Sequence, residues 1–123
     1  MLKPTKIIEP FISKLEQRTV KSGEIIFNEG EPGEVIYGLL SGEVEIIVNG
    51  KVVEEITPGD VFGVGALVQL NHLRASTAKA KSDCQLIVVN QEKFLFLVQE
   101  TPVFSLEVMR SYSARLIKLK HSI

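Results

Sequence analysis

The chain has 123 residues, 45% of them hydrophobic and 24% charged, with a formal net charge of −1. That is enough for one domain with a real core, and the single Cys84 leaves neither an intrachain disulfide framework nor a thiolate metal cluster. No apolar run approaches the roughly eighteen residues of a membrane span, and the opening MLKPTKIIEP lacks the apolar core of a secretory signal, so a cytoplasmic protein is expected.

Residues 1–18 read as an N-terminal helical segment. Ile8, Phe11, Ile12 and Leu15 fall on one helical stripe, and Pro10 should kink or split it. Residues 19–99 change character. Short runs rich in Val, Ile and Phe alternate with glycine-bearing turns at 22–23, 29–33, 41–42, 49–50 and 57–59, the pattern of an antiparallel sandwich or roll. The clearest hairpin has Val44, Ile46 and Val48 alternating with Glu43, Glu45 and Ile47, then Asn49-Gly50 before Lys51. Asn and Gly both tolerate the positive φ that a two-residue type I′ turn requires.

The stretch DVFGVGALVQLNHLRAST, residues 60–77, follows. Its glycines would let backbone amides approach an anion, with Arg74 closing over it; a plain turn between strands is the alternative. A strand is expected over 85–89, then a helix over 91–99 packing Phe94, Leu95, Leu97 and Val98 on the roll. Thr101 should cap a last helix over 101–120, with Pro102 in its first turn. That helix has two apolar stripes: Leu106, Met109 and Leu116 with Ser113 between, and Val108, Tyr112 and Leu119. One stripe docks on the body. The other either covers a second subunit, as a dimer interface of Leu106, Met109, Ser113 and Leu116, or also packs on the roll.

Charge and chemistry narrow the function. Residues 23–60 carry nine acidic side chains and one lysine, whereas 110–123 carry Arg110, Arg115, Lys118 and Lys120 and no acid. A broad positive face for nucleic acid is missing, and basic residues late in a helix complement its dipole. His72 and His121 are too few for a cupin-like metal centre. Ser76 near His72 is no triad, and Cys84 reads as a small buried hydrophobe. Neither catalytic residues nor a metal site are expected; the chain does not read as an enzyme.

With these residues in place, the chain resembles the cyclic nucleotide-binding domain of the Crp/Fnr regulators and cyclic-nucleotide-dependent kinases. The resemblance runs from about Phe11 to Leu119 and is carried by SGEIIFNEGEPGEVIYGLLSGEVEI, PGDVFG and RAST. It implies a mainly β fold, an antiparallel double-stranded β-helix (jelly roll) with the N-terminal helical segment and long C-terminal helix. It also implies a phosphate-binding cassette over 62–77. Arg74 is the phosphate arginine of such a cassette, Gly63, Gly65, Ala66 and Ala75 lie along its backbone, and Ser76 or Thr77 approach the ligand. The alternative for Arg74 is a surface arginine paired with an acid.

The match departs at two positions, 64 and 65. Where the family reads Phe-Gly-Glu-Leu-Ala-Leu, this chain has Phe62, Gly63, Val64, Gly65, Ala66 and Leu67. The glutamate that accepts the ribose hydroxyl is Val64, and losing such a charge-assisted bond weakens a cyclic nucleotide by about ten- to a hundredfold. The arginine half of the cradle is kept and the sugar half is lost. The expected ligand is cAMP, cGMP or another small anion, in a stand-alone regulatory module that signals through its C-terminal helix. A homodimer is expected, with a protein effector as a further partner. No helix-turn-helix follows residue 120 before Ile123, so DNA binding by this chain is not expected. The competing expectation is a ligand-free interaction domain with a degenerate pocket.

Overall fold

The computed structural model describes residues 3–122. Its centre is two four-stranded antiparallel sheets, built from β1 (Glu16–Val20), β2 (Ile25–Phe27), β3 (Val35–Ser41), β4 (Val44–Val48), β5 (Lys51–Ile56), β6 (Val61–Phe62), β7 (Thr77–Ala80) and β8 (Cys84–Asn90). One sheet has the order β1-β8-β3-β6 and the other β2-β7-β4-β5. This is the expected mainly β jelly roll, with helices at both chain ends.

Strand alternation explains where the core sits. In β8, Leu86 points between the sheets, while Ile87 and Val89 point to the opposite face. The inter-sheet core gathers Val20, Phe27, Tyr37, Leu39, Val44, Ile46, Phe62 and Leu86. The outer face of the first sheet, with Ile36 and Ile87, is covered by Ile8, Leu97, Phe104 and Val108 from the helical segments. A strand buried on both faces needs a near-continuous apolar run, and Leu86 to Val89 supplies it.

The β4–β5 hairpin forms as the alternation anticipates. Val48 pairs with Lys51, and Asn49 and Gly50 take φ of 51° and 78°, the positive values of a type I′ turn. Pro10 does split the leading segment. The helix α1 (Pro4–Ile7) ends before it, and a 3₁₀ helix, Glu9–Lys14, continues, because proline removes a donor and blocks the preceding turn. The helical segment is shorter than 1–18: β1 already starts at Glu16, pairing with Val88.

Two late expectations are corrected. Thr101 does not cap the last helix with its side chain. Its N–H donates to the Leu97 carbonyl at 2.8 Å, closing α3 (Gln91–Glu100), and α4 (Val103–Lys120) is entered through Pro102 with no side-chain cap. Leu95 does not pack on the roll either: it is 58% exposed, and Leu97 is the fully buried residue of α3. Cys84 is buried as expected, and burial pushes its thiol up.

Candidate anion-binding pocket

The cassette lies between β6 and β7. Its helix, α2 (Gly65–Val68), is a single turn, and the loop after it returns along the 28–33 turn. There the Arg74 N–H bonds to the Glu31 carbonyl at 2.9 Å, and the Gly30 and Gly33 N–H groups bond to the Arg74 and His72 carbonyls at 2.8 and 2.9 Å. The glycine-rich turn thus serves as a backbone splint for the cassette. His72, at φ 54°, places Nδ1 2.7 Å from the Ala66 carbonyl, tying the loop to α2 rather than activating Ser76.

Arg74 is only 5% exposed. Nη1 donates to the Gly63 carbonyl at 3.0 Å and Nη2 to the Val35 carbonyl at 2.9 Å. The guanidinium carbon lies 4.1 Å from the centre of the Phe27 ring, a cation–π contact. Nε is buried without a hydrogen-bond partner. No carboxylate pairs with Arg74 among the described residues, so the alternative of a surface arginine held by an acid is corrected. Burial pulls its pKa down, against weaker opposing influences of Tyr37, Glu31 and Tyr112. A guanidinium has five N–H donors, and a charge left in a low-dielectric site without a counter-charge is costly.

The seat is shaped by two glycines. A Cβ on Gly33 would lie 2.3 Å from Arg74 Nε, and one on Gly63 would lie 2.8 Å from Nη1. Gly63 also has φ 84°, where a side chain is strained. Gly65 is different: a Cβ there would meet only Gln69 Cγ, at 3.7 Å.

Arg74, Gly63 and Gly65 line a cavity of about 240 Å³ together with Phe27, Ile46, Glu54, Phe62, Tyr112 and Arg115. Of the residues singled out in the sequence, Gly63, Val64, Gly65, Ala66, Arg74, Ala75 and Ser76 are in that lining. Thr77 is not; its hydroxyl accepts the Glu29 N–H at 3.0 Å as β7 begins.

Sequence reasoning missed the opposite wall. Tyr112 and Arg115 reach it from α4, and Glu54 from β5. The Val64 N–H donates to the Tyr112 hydroxyl at 3.2 Å. Arg115 donates from Nε to Glu54 Oε1 and from Nη1 to the Val61 carbonyl, both at 2.7 Å, and stacks 4.2 Å from the centre of the Tyr112 ring. Burial works against its charge, but the Glu54 bond with the fields of Tyr112, Glu54 and Asp60 leaves its pKa raised. The apolar residues Val108, Tyr112 and Leu119 had marked this face of α4 for docking, and the intervening Arg115 was the available signal.

The other stripe of α4 is open. Leu106, Met109 and Leu116 are 41%, 60% and 52% exposed, and Ser113 is exposed between them; packing of both stripes on the roll is corrected.

A family model for the cyclic nucleotide-binding domain matches residues 17–101. The chain belongs to the cyclic nucleotide-binding domain family, of the Crp/Fnr type. The domain is 29% identical over 116 residues to the cAMP-activated global transcriptional regulator CRP of Pasteurella multocida, covering 90% of this chain and 54% of that protein. It is 25% identical over 118 residues to the Pycsar effector protein XpPycTIR of Xanthomonas perforans, covering 96% of this chain and 39% of the effector. The chain therefore spans about half or less of these relatives. Among solved structures it superposes on the c-di-GMP responsive global regulator CLP of Xanthomonas campestris with a TM-score of 0.83 and 21% identity, over 95% of this chain and 61% of that one. At that identity the likeness is one of fold. No helix among the described residues is long and apolar enough to cross a membrane.

Proposed function

We propose that this cyclic nucleotide-binding domain is a regulatory sensor module that seats the anionic group of a small, nucleotide-like ligand at Arg74 and passes occupancy to α4. The observation behind it is the Arg74 guanidinium: nearly fully buried, paired with no carboxylate among the described residues, and holding a buried Nε–H without an acceptor. A buried donor left unsatisfied costs about 1–3 kcal/mol. An anion in the adjoining cavity would supply both the counter-charge and the acceptor. The cAMP activation of the Pasteurella multocida relative and the c-di-GMP response of the Xanthomonas campestris fold neighbour support a cyclic nucleotide as the first candidate. The proposed role is binding rather than catalysis, and relay requires the ligand to favour one placement of α4 over another.

A second reading has its own observation. Val64 stands where the family carries its sugar-binding glutamate, and its N–H is already satisfied by Tyr112. A pocket that lacks this carboxylate, with the Val64 N–H already taken, suits a ligand-free dimerisation domain.

Calorimetric titration separates the two. The wild-type chain and Arg74→Ala are titrated with cAMP, cGMP, cyclic dinucleotides and 2-oxoglutarate. Saturable binding that disappears in Arg74→Ala supports the sensor. Absence of binding by every ligand at millimolar concentration sinks it in favour of the dimerisation domain.

A further inference from the structure

The cassette also displays an apolar patch that the anion cavity does not use. Val68, Leu70 and Leu73 are 67%, 98% and 42% exposed, and none of them lines that cavity. We infer that this patch docks a basic amphipathic helix of a partner protein. Apolar side chains of the helix cover Leu70, and a cation between them enters a hollow lined by Glu34 and Glu92. The surface is independent of the anion-binding role of Arg74.

The patch sits on ordered backbone. The Gln69 N–H donates to the Gly65 carbonyl at 2.8 Å, the His72 N–H to the Gln69 carbonyl at 3.2 Å, and the Leu73 N–H to Asn71 Oδ1 at 3.0 Å. Leu73 also pairs with Pro32 of the 28–33 turn. Single exposed leucines are ordinary, but three large apolar residues within six positions of a fixed loop make a preformed contact area.

A hollow of about 330 Å³ adjoins the patch. Leu67 and His72 line it from the cassette, Glu34 from just before β3, and Gln91 and Glu92 from the first turn of α3. Leu95 is exposed; it follows Gln91 by four residues and shares its face of α3. The hollow thus has one apolar margin on the cassette and another on α3.

Its charge is acidic and uncompensated. Glu34 and Glu92 form no ion pair among the described residues, and no lysine or arginine lines the hollow. Lys93 lies two residues from both Gln91 and Leu95, off their face. His72, the one base in the lining, has Nδ1 engaged by the Ala66 carbonyl. Asn90 caps α3, its side chain accepting the Lys93 N–H at 2.8 Å, so neither glutamate serves as that cap.

Like charge repels an anionic lipid or a nucleic acid from such a surface. Its complement is a lysine or arginine flanked by apolar residues. One helix face presents that pattern, with leucines at i and i+7 and the cation at i+3 or i+4.

The probe is a synthetic leucine–lysine amphipathic helix of about 18 residues, long enough to be helical alone. Leucine–glutamate and serine–lysine peptides of the same length are the controls. Fluorescence anisotropy measures affinity for wild type, Leu70→Ser, Glu34→Gln/Glu92→Gln and Glu43→Gln/Glu45→Gln, the last removing the same charge beside β4. Leu70→Ser should weaken the leucine–lysine helix about tenfold, and Glu34→Gln/Glu92→Gln about fivefold, with a shallower salt dependence. Glu43→Gln/Glu45→Gln should change it by less than about twofold. Neither control peptide should bind below about 1 mM. Amide shifts on titration should centre on residues 67–73 and 91–95. All four substituted glutamates and Leu70 are surface groups, so circular dichroism should match wild type. Equal affinity of the four proteins for the leucine–lysine helix, or no binding up to about 1 mM, overturns the surface. If Leu70→Ser instead changes the sedimentation of the chain alone, a second copy covers the patch and partner docking is overturned.

Discussion

The Tyr112 hydroxyl accepts the Val64 N–H at 3.2 Å, joining residues 48 positions apart and fixing α4 to the cassette. Tyr112→Phe keeps the ring on which Arg115 stacks and deletes only the acceptor. The expected cost is about 1 kcal/mol, the net value of one such bond. Urea denaturation should report it, and the Val64 amide should exchange faster with solvent. Unchanged exchange at Val64 would mean the contact does not hold the helix.

The same residue shapes the alkaline limb of stability. Burial above all raises the Tyr112 phenol, against the opposing influence of Arg115, and burial likewise raises the Cys84 thiol. A group whose folded pKa exceeds its unfolded value contributes stability present below the unfolded value and lost as pH rises through the folded one. Losses should therefore begin near pH 8.5 from Cys84 and near pH 10 from Tyr112, roughly the unfolded values. Cys84→Ala should flatten the first limb and Tyr112→Phe the second. Identical limbs in wild type and variants would remove both groups as the cause.

Gly33 is needed for space, not for its φ. An added Cβ would fall 2.3, 2.6 and 2.7 Å from Arg74 Nε, Cζ and Nη2, so Gly33→Ala must push the guanidinium from its seat. Overpacking of this kind costs about 1–3 kcal/mol. In the background of Arg74→Ala the same substitution should cost much less, and the difference is the coupling energy. Equal cost in both backgrounds would place the strain elsewhere.

The exposed stripe of α4 runs Leu106, Met109, Ser113 and Leu116, at spacings of three, four and three, the a/d pattern of a helical pair. We expect the chain to dimerise through it. Sedimentation should find wild type as a dimer and Leu106→Lys/Leu116→Lys as a monomer. Because both leucines are exposed, circular dichroism should not change, and stability at matched monomer concentration should shift by only about 0.5 kcal/mol. A monomeric wild type would refute the dimer.

Local signals were legible wherever a short segment determines its own geometry. Asn49-Gly50 announced the hairpin turn, and Pro10 the break in the leading helix. The two stripes of α4 were visible too, but which one docks depends on what the roll presents, and no period within the helix contains that. The Glu54–Arg115 part of the pocket lining was only half legible, for a related reason. The apolar face of α4 signalled that Arg115 would dock, but its partner Glu54 is 61 residues away and alone looks like an ordinary surface charge. Thr77 lies outside the cavity lining, and its hydroxyl accepts the Glu29 N–H of the 28–33 turn, a partner brought near only by sheet pairing.

Val64→Glu tests the proposed register of the cassette, in which Val64 stands at the family's sugar-binding glutamate. Val64 is half-buried at the cavity, packing with the outer core, and its N–H is held by Tyr112. A glutamate there would put a carboxylate beside the ligand, able to accept a ribose hydroxyl in a charge-assisted bond of about 1.5–3 kcal/mol. Affinity for a cyclic nucleotide should rise by about ten- to a hundredfold, while the unliganded protein loses some stability with the apolar contacts of valine. The gain should vanish for the 2′-deoxy nucleotide, which has no hydroxyl to donate. A gain of the same size for the deoxy ligand would mean the new carboxylate acts elsewhere. A loss for both would put the cassette register in error, since a carboxylate close to the phosphate repels it.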